Sequence, residues 1–298
     1  LLALRTYNDD FAVIRDSGAL ADLSGSAAIR EAVGRMQPDA RRLVTAEDGR
    51  ILGLPVQLVV HPFYWLQDVW DAAGLTAADV PRSYTELLDF CERWAARVAE
   101  RPEGSVCLTR MLRWDGVRER DQYVNWLLET LVTTWAMQQR YAGEAVHFNT
   151  EAFAALAERT RAVGRALYEA EPRGSKRDGM LPLFQNDIHG GEHANDGRDY
   201  GLSHTVPLRV TVDQPLLMKA DMEVYCVRAG SPWQSEALAF LEQAGDEQPF
   251  FFRYALDADF APGEYAYEDG GSAVISAGWL ADYRAYEGAL VFFPLTHD

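Results

Sequence analysis

Residues 189–193 read HGGEH, a string that matches the H-x-x-E-H signature of one class of zinc peptidase. Such a peptidase needs a helix here, so that both histidines and the glutamate project from one face. The two central residues are glycines, which are among the least favourable residues for a helix interior, and the flanking Asn, Asp and Gly residues favour turns. We interpret the string as a loop, and keep as an alternative function a zinc-dependent hydrolase that uses His189, Glu192 and His193.

Other catalytic patterns are missing from the sequence, which contains no G-x-S-x-G, P-loop or G-x-G-x-x-G motif. Ser, His and Asp are too common in this chain for a catalytic triad to be argued from their spacing. We therefore expect a protein without enzymatic activity, with no catalytic residue, no bound metal and no cofactor.

Tyr7, Asn8 and Asp9 form a polar turn between a strand pattern and a short helix pattern. Asn and Asp side chains can pair with ligand hydroxyls, and a tyrosine ring can stack on a sugar face. The alternative is that these residues only cap the helix, since Asn and Asp are common at that position too. We predict that all three contact a small polar ligand.

Trp114 and Asp115 lie between a strand pattern and the helix pattern that starts at Gln122. An aromatic ring beside a carboxylate suits a sugar or polyol, because the ring stacks on the ligand while the carboxylate accepts its hydroxyl hydrogen bonds. The alternative is an ordinary surface loop. We predict that Trp114, Asp115 and Gln122 contact the ligand, and that Trp126 and Trp135 pack in the core.

The elements that must position these residues alternate between helix and strand. The apolar runs ILGLPVQLVV, FYWL, SVCLTRML, TVPLRVTV and MEVYCVRA predict buried strands. Helix patterns lie between them at 83–100, 122–139 and 149–170, and the first begins with a capping box from Ser83 to Glu86. This alternation predicts an α/β fold, and the short apolar strands favour parallel sheets covered on both faces.

Composition narrows the class of protein. The chain has 298 residues, 48% of them hydrophobic, which is enough for one large domain or two lobes. Its formal net charge of -17 repels nucleic acid and anionic lipid, so we expect no nucleic-acid partner. The three cysteines, Cys91, Cys107 and Cys226, predict free buried thiols, with a Cys91–Cys107 bridge as the alternative.

Three stretches resemble the family 1 extracellular solute-binding proteins of ABC importers. They are TYNDDFAVIRDSGALADLS, DGRILGLPVQLVVHPFYWLQDVWDAAGLTAADVPRSYTELLDFCERW and EVYCVRAGSPWQSEALAFLEQ. The second stretch is the most specific, because it keeps several positions of the family pattern in order and spacing. These positions are Gly53, Leu54, Pro55, Asp68, Gly74, Leu75, Pro81 and Glu86.

The sequence also departs from that family pattern. Trp65-Leu66 stands where the family usually has tyrosine-asparagine, and VDQPLLMKAD replaces a glycine-rich segment. The chain opens inside a strand pattern without an initiator methionine. We therefore expect the family's first strand-helix-strand unit to lie upstream of residue 1.

The resemblance implies a two-lobed, periplasmic-binding-protein-like α/β fold with hinge crossovers and an incomplete N-terminal lobe. We expect lobe 1 to contain 1–58 and 215–265, and lobe 2 to contain 59–214 and 266–298. A ligand would bind in the crevice between the lobes, which would close on it.

The resemblance further implies that residues on the crossovers line this crevice, and we predict ligand contacts at Gln57, His61, Tyr64, Asp213 and Asp221. For Tyr64 the alternative is core packing. For Gln57 and His61 it is a buried structural hydrogen bond.

The implied function is capture of a small polar solute, a saccharide, for delivery to the membrane subunits of an ABC permease. The protein would act as a monomer in the extracellular or periplasmic space, as a lipoprotein anchored to the membrane surface. A further alternative is a binding-protein fold used for sensing or adhesion.

Overall fold

The computed structural model describes residues 1–6, 10–60, 63–100, 106–109, 121–170, 181–186, 203–206, 208–246, 257–266, 272–275 and 277–292. These residues form two compact units. Unit 1 contains the described residues of Leu1–His61 and Met218–Asp298. Unit 2 contains those of Pro62–Asp187 and Asp199–Leu217.

Helices and strands alternate along the chain, which confirms the α/β class. In chain order they are β1 (Leu2–Arg5), α1 (Asp10–Asp16), α2 (Ala27–Arg35), α3 (Pro38–Val44), β2 (Leu54–Val60), β3 (Phe63–Leu66), α4 (Gln67–Ala72), α5 (Tyr84–Glu100), β4 (Val106–Thr109), α6 (Gln122–Tyr141), α7 (Glu151–Ala170), β5 (Leu181–Asn186), β6 (Ser203–Thr205), β7 (Met218–Cys226), α8 (Gln234–Asp246), β8 (Gly263–Ala266), β9 (Ser272–Ile275), α9 (Ala277–Arg284) and β10 (Leu290–Phe292). Within the described ranges, none of the helices is long and apolar enough to span a membrane.

The sheet of unit 1 is centred on β7. β2 pairs with it antiparallel along one edge, and the opposite edge is divided between β1, which is antiparallel, and β10, which is parallel. Antiparallel pairing of β2 and β7 follows from the path of the chain, because it leaves unit 1 after β2 and returns to unit 1 at β7. The sheet is therefore mixed, and the expectation of parallel sheets is wrong.

Only one face of β7 is apolar. The strand alternates between buried and half-buried residues, and its buried face consists of Met218, Ala220, Met222, Val224 and Cys226. Gly53, just before β2, lies so close to this strand that a Cβ atom there would sit 2.9 Å from the Cys226 sulfur. The glycine of the Gly53-Leu54-Pro55 motif is thus needed for the close approach of β2 to β7.

The C-terminal strand β10 differs from the predicted lobe boundaries. The sequence prediction placed 266–298 in lobe 2, whereas β10 pairs with β7 inside unit 1. Asp39 of α3 is fully buried and holds this segment, because its carboxylate accepts hydrogen bonds from the backbone N–H groups of Gly288 (2.8 Å) and Leu290 (3.2 Å). A pairing between distant segments of this kind cannot be read from hydrophobic periodicity.

Unit 2 is built on a second four-stranded sheet, in the order β4-β5-β3-β6, whose core α4, α5, α6 and α7 share. Aromatic rings dominate this core. Phe184 of β5 lies 5.1 Å from Phe63, 5.2 Å from Trp70 and 5.3 Å from Phe90, measured between ring centroids. Trp126 lies 5.7 Å from Phe63, so the prediction that Trp126 packs in the core is confirmed.

Two sequence predictions in unit 2 are wrong in detail. The run TVPLRVTV does not continue as a strand: β6 ends at Thr205, and the described residues from 208 to 212 form no strand. Trp135 is only half-buried and packs edge-on against Phe153, at a centroid distance of 5.3 Å. Local propensity predicts both features poorly, because the tertiary environment decides them.

α5 begins at its predicted cap, Ser83. The Ser83 hydroxyl accepts a hydrogen bond from the Glu86 N–H at 3.2 Å. The Glu86 carboxylate, however, accepts from the Arg82 N–H at 2.8 Å instead of returning to Ser83. The predicted capping box is therefore half formed.

The structure also decides between the two cysteine alternatives. Cys91 and Cys226 are buried free thiols, so the Cys91–Cys107 bridge is not formed. Burial raises the pKa of the Cys226 thiol to about 12, which keeps it protonated and unreactive at neutral pH.

Candidate functional site

Five of the predicted ligand contacts lie among the described residues: Gln57, Tyr64, Gln122, Asp213 and Asp221. The other six lie outside the described ranges, and so does the HGGEH string at 189–193. Those six are Tyr7, Asn8, Asp9, His61, Trp114 and Asp115. Gln57 and Asp221 belong to unit 1, and the remaining three described candidates belong to unit 2.

Gln57 and Asp221 share one face of the unit 1 sheet. Gln57 on β2 lies opposite Glu223 on β7, and Val59 lies opposite Asp221. Directly opposite residues of an antiparallel pair point to the same face, as do residues two apart on one strand. The structure therefore brings Gln57 and Asp221 together on the half-buried face of β7.

The charged side chains on this face pair with one another. Lys219 Nζ lies 3.8 Å from Asp221 Oδ2, and Arg5 Nη2 of β1 lies 2.7 Å from Glu223 Oε2. The side chains of Lys219, Asp221 and Glu223 are 12%, 16% and 15% exposed, so each charge needs an opposite charge nearby. We call these four residues the β7 charged row. The row contains two cations and two anions, so its net charge is zero. A surface without net charge suits a neutral polar ligand better than an ion.

Thr6 holds the end of β1 against the middle of β7. Its buried hydroxyl accepts a hydrogen bond from the Met222 N–H at 2.8 Å. The predicted contacts at residues 7–9 follow Thr6 directly in the chain. The sequence places Thr6 at the start of the same polar turn, but it does not show that the Thr6 hydroxyl binds the backbone of β7.

In unit 2, Gln122 is the first residue of α6 and is 8% exposed. Its amide Nε2 is buried and has no hydrogen-bond acceptor among the described residues. The N-cap residue, Asp121, makes no side-chain capping hydrogen bond to this helix. Because a buried donor without an acceptor costs about 1–3 kcal/mol, packing alone does not account for a glutamine at this position.

Trp126 lies one turn further along α6 and is fully buried. Its indole Nε1 also lacks an acceptor within the described part of the chain. Residues four apart on a helix share a face, and helical side chains lean towards the helix N terminus, so Trp126 leans towards Gln122. We call Gln122 Nε2 and Trp126 Nε1 the α6 donor pair. Their spacing of four residues is the sequence signal that could have revealed it.

Two other buried N–H donors lack acceptors among the described residues, but each belongs to a side chain with another role. Gln37 in unit 1 uses its carbonyl oxygen to cap α3, accepting from the Asp39 N–H at 2.8 Å. The Trp94 ring on α5 stacks on Phe90, and the Arg97 guanidinium lies 5.4 Å from its centroid. The α6 donor pair differs in having two such donors on one helix face.

Tyr64 lies in the hydrophobic core of unit 2. Its side chain on β3 is 6% exposed, and the adjacent Trp65 is 4% exposed. This burial favours the core-packing alternative over ligand contact.

Asp213 lies on an exposed turn after Val210. A hydrogen bond from the Thr211 hydroxyl lowers the pKa of its carboxyl below the ordinary value, so the group is ionised at neutral pH. Arg209 stabilises the same turn, because its Nη1 donates a hydrogen bond to the Gln214 carbonyl at 2.7 Å. These contacts give Asp213 a local role in the turn.

Metal binding has no support in the described ranges, where no group of three His, Cys, Asp or Glu side chains could hold a metal ion. The histidines of HGGEH lie outside those ranges, so the zinc alternative remains a sequence hypothesis.

Comparison with solved structures reveals similar folds. The chain is similar to a cyclic α-maltosyl-1,6-maltose binding protein from Arthrobacter globiformis, with a TM-score of 0.56 and 14% identity over 99% of this chain and 74% of that chain. It is similar to a sugar transporter from Bacillus licheniformis in complex with stachyose, with a TM-score of 0.59 and 13% identity over 99% of this chain and 76% of that one. It is also similar to an ABC substrate-binding protein from Listeria monocytogenes in complex with cycloalternan, with a TM-score of 0.52 and 11% identity over 99% and 74%.

No protein-family model matches the chain, and no curated protein matches its sequence. At identities of 11–14%, the structural likenesses show the fold. The two-lobed, periplasmic-binding-protein-like fold implied by the sequence is thus confirmed.

Proposed function

We propose that this protein is a solute-binding protein that captures a small polar ligand, a carbohydrate, and delivers it to the membrane subunits of an ABC permease. It binds and releases its ligand unchanged, as a monomeric lipoprotein in the extracellular or periplasmic space. The observation that carries the proposal is the α6 donor pair, because two buried donors without acceptors fit a ligand that supplies oxygen atoms.

A carbohydrate meets this requirement without adding charge. Its hydroxyl and ring oxygens accept hydrogen bonds from Gln122 Nε2 and Trp126 Nε1, and each new bond removes an unsatisfied donor that costs about 1–3 kcal/mol. Neutrality matters because burying an ion without an opposite charge costs far more than burying a hydroxyl.

Binding requires the side chain of Gln122 to move, since both donor atoms are buried in the ligand-free protein. Gln122 is the first residue of its helix, and a glutamine side chain rotates freely about three bonds. Rotation of Gln122 would bring its amide to a ligand at the start of α6, and Trp126 lies one turn further along the same helix. The ligand then takes the place of the missing acceptors.

The other predicted contacts remain part of the proposal. In unit 1, Gln57 and Asp221 offer an amide and a carboxylate to ligand hydroxyls from the half-buried face of β7. Tyr7, Asn8, Asp9, His61, Trp114 and Asp115 complete the predicted set. Tyr64, in the core of unit 2, and Asp213, on an exposed turn, also belong to that set.

A thermal-shift screen of the purified chain against neutral mono- and oligosaccharides tests the proposal, with amino acids and divalent metals as separate arms. A ligand at 100 times its dissociation constant stabilises the folded state by about 2.7 kcal/mol, a shift of several degrees at this chain length. We expect Gln122→Ala to weaken saccharide binding about tenfold, the size of one lost hydrogen bond.

The matched control is Gln234→Ala, because Gln234 is the exposed first residue of another helix, α8, and its loss leaves affinity unchanged. A protein that no saccharide stabilises contradicts the proposal. A shift with zinc alone favours the hydrolase alternative, and chemical analysis of the saccharide after incubation must recover it intact.

A further inference from the structure

Gly164 lies in the middle of α7, a 20-residue helix. Glycine is among the least favourable residues for a helix interior, so its presence there calls for a local cause. That cause is the backbone of α6. A Cβ atom at position 164 would lie 2.7 Å from the Val124 backbone nitrogen and 2.8 Å from its Cα.

Val124 is the third residue of α6 and lies midway between the two members of the α6 donor pair, Gln122 and Trp126. Contact with Gly164 therefore sets the distance between α7 and the turn that carries both donors. The contact is with main-chain atoms, so a side-chain rotation cannot relieve an added methyl group, and the turn itself must move.

α7 cannot easily absorb the displacement. One turn before Gly164, the Thr160 hydroxyl lies 2.7 Å from the Tyr84 hydroxyl of α5, and Tyr84 also donates to the Leu127 carbonyl of α6 at 2.9 Å. Tyr84 and Thr160 are fully buried, so this network is costly to break. The first turn of α6 lacks a side-chain cap and is therefore the part that yields.

We infer that Gly164 is a positioning residue for the ligand site. It touches no donor atom, and it acts by fixing the α6 turn from which Gln122 and Trp126 reach the ligand. The inference rests on the proposed function, because that proposal assigns the α6 donor pair to the ligand.

The test uses Gly164→Ala in the full chain, with Gly34→Ala as the matched control. Gly34 is also helical, in α2, but a Cβ atom there meets nothing within 4 Å. The ligand for this test is a saccharide that stabilises the wild type. Gly164→Ala should raise its dissociation constant about tenfold, while Gly34→Ala leaves the dissociation constant unchanged.

A double-mutant cycle separates positioning from general destabilisation. If Gly164 acts through the donor pair, Gly164→Ala costs much less affinity when Gln122 is already alanine. Equal losses in both backgrounds overturn the inference, and so does wild-type affinity in Gly164→Ala.

A second measurement needs no ligand. The indole N–H resonance of Trp126, assigned by its loss in Trp126→Phe, should shift in Gly164→Ala and stay in place in Gly34→Ala. An unmoved resonance overturns the inference, whether or not a saccharide binds the wild type. If no saccharide binds the wild type, the proposed function fails on that separate result. Should Gly164→Ala not fold, Val124→Ala loosens the same contact from the α6 side, and it must then shift the resonance.

Discussion

In unit 1, the half-buried charges of β7 lie beside opposite charges, with Lys219 near Asp221 and Arg5 near Glu223. In unit 2, the two buried donors at the start of α6 have no acceptor among the described residues. The sequence shows which residues these are, but not which of their polar groups find a partner.

The difference lies in which partner satisfies the polar group. A charge that is paired within the protein contributes to the fold and keeps its geometry without a ligand. A buried donor without an acceptor raises the free energy of the ligand-free protein. A ligand that supplies the acceptor removes this cost, so its hydrogen bond contributes strongly to binding. The α6 donor pair is therefore the stronger pointer to function, and the β7 charged row is chiefly a stable polar surface.

The largest effect should come from Asp39, the buried and fully paired carboxylate of unit 1. Asp39→Asn replaces one acceptor oxygen by a donor that faces backbone N–H groups, and it also removes the ion pair with Arg42 at 2.5 Å. We expect the free energy of unfolding in urea to fall by about 3 kcal/mol. The control is Asp16→Asn, at an exposed helix end, which should leave the urea midpoint of unfolding almost unchanged. Equal urea midpoints for the two variants would refute the stabilising role of the Asp39 contacts.

Gln122→Met tests the buried donors of unit 2, which lack acceptors among the described residues. We expect it to raise the free energy of unfolding, whereas Asp39→Asn lowers it. Methionine fills a similar volume without the unsatisfied N–H, so the ligand-free protein should gain about 1 kcal/mol while the saccharide-induced shift largely disappears. Gln37→Met is the matched control. It should lose about 1 kcal/mol, because the Gln37 carbonyl caps α3. A Gln122→Met protein less stable than the wild type in thermal and urea unfolding would argue that Gln122 has an internal partner.

Glu223→Gln weakens one pair of the β7 charged row. Its partner Arg5 is 49% exposed, so solvent screens the interaction and the loss should stay below about 1 kcal/mol. The loss should also shrink in 1 M salt, because added ions screen the half-exposed Arg5 guanidinium. If Glu223→Gln lowers the free energy of unfolding by the same amount in an Arg5→Gln background, the two side chains do not interact.

The smallest effect should come from Asp79, in the short 3-10 turn Ala77–Asp79 of unit 2. Its carboxylate accepts hydrogen bonds from the Thr76 N–H and hydroxyl, both at 2.8 Å, and these lower the pKa of Asp79 below its ordinary value. A lowered folded-state pKa stabilises the protein above the unfolded-state pKa, and this contribution is lost as the pH falls through the folded-state pKa.

Asp79→Asn should therefore cost no more than about 0.5 kcal/mol at pH 7, since the group is largely exposed, and less at pH 2. Urea unfolding at both pH values checks the sign. A cost that grows towards low pH would mean that the hydrogen bonds favour the protonated acid.

Much of the fold could be predicted from local patterns. The strands around Leu54–Val60 and Phe63–Leu66 and the helices that begin near Ser83, Gln122 and Thr150 all appear where the periodicity places them. Such elements depend on neighbours a few residues away, which the sequence displays directly. The pairing of β10 with β7 and the end of β6 at Thr205 could not be predicted, because they depend on contacts between distant segments.

The candidate site was predictable only in part. The residue type of Gln122 and its place at a helix start predict a ligand contact, and the structure adds that its amide lacks an acceptor among the described residues. Trp126 was assigned to the core, which is right for its ring but leaves out its N–H. Burial and hydrogen-bond partners belong to the packed protein, and residue type alone cannot supply them.

By itself, the sequence determined the α/β class and most element positions, since periodicity and capping residues act over one or two turns. It also supplied the resemblance from which the two-lobed fold followed. The tertiary structure decided which polar residues find partners. Glu223 of β7 meets Arg5 of β1, while Gln122 and Trp126 are buried on α6, which Gly164 allows to approach α7 closely. The reason is physical: a hydrogen bond or an ion pair depends on distances that exist only once segments far apart in the chain have packed together.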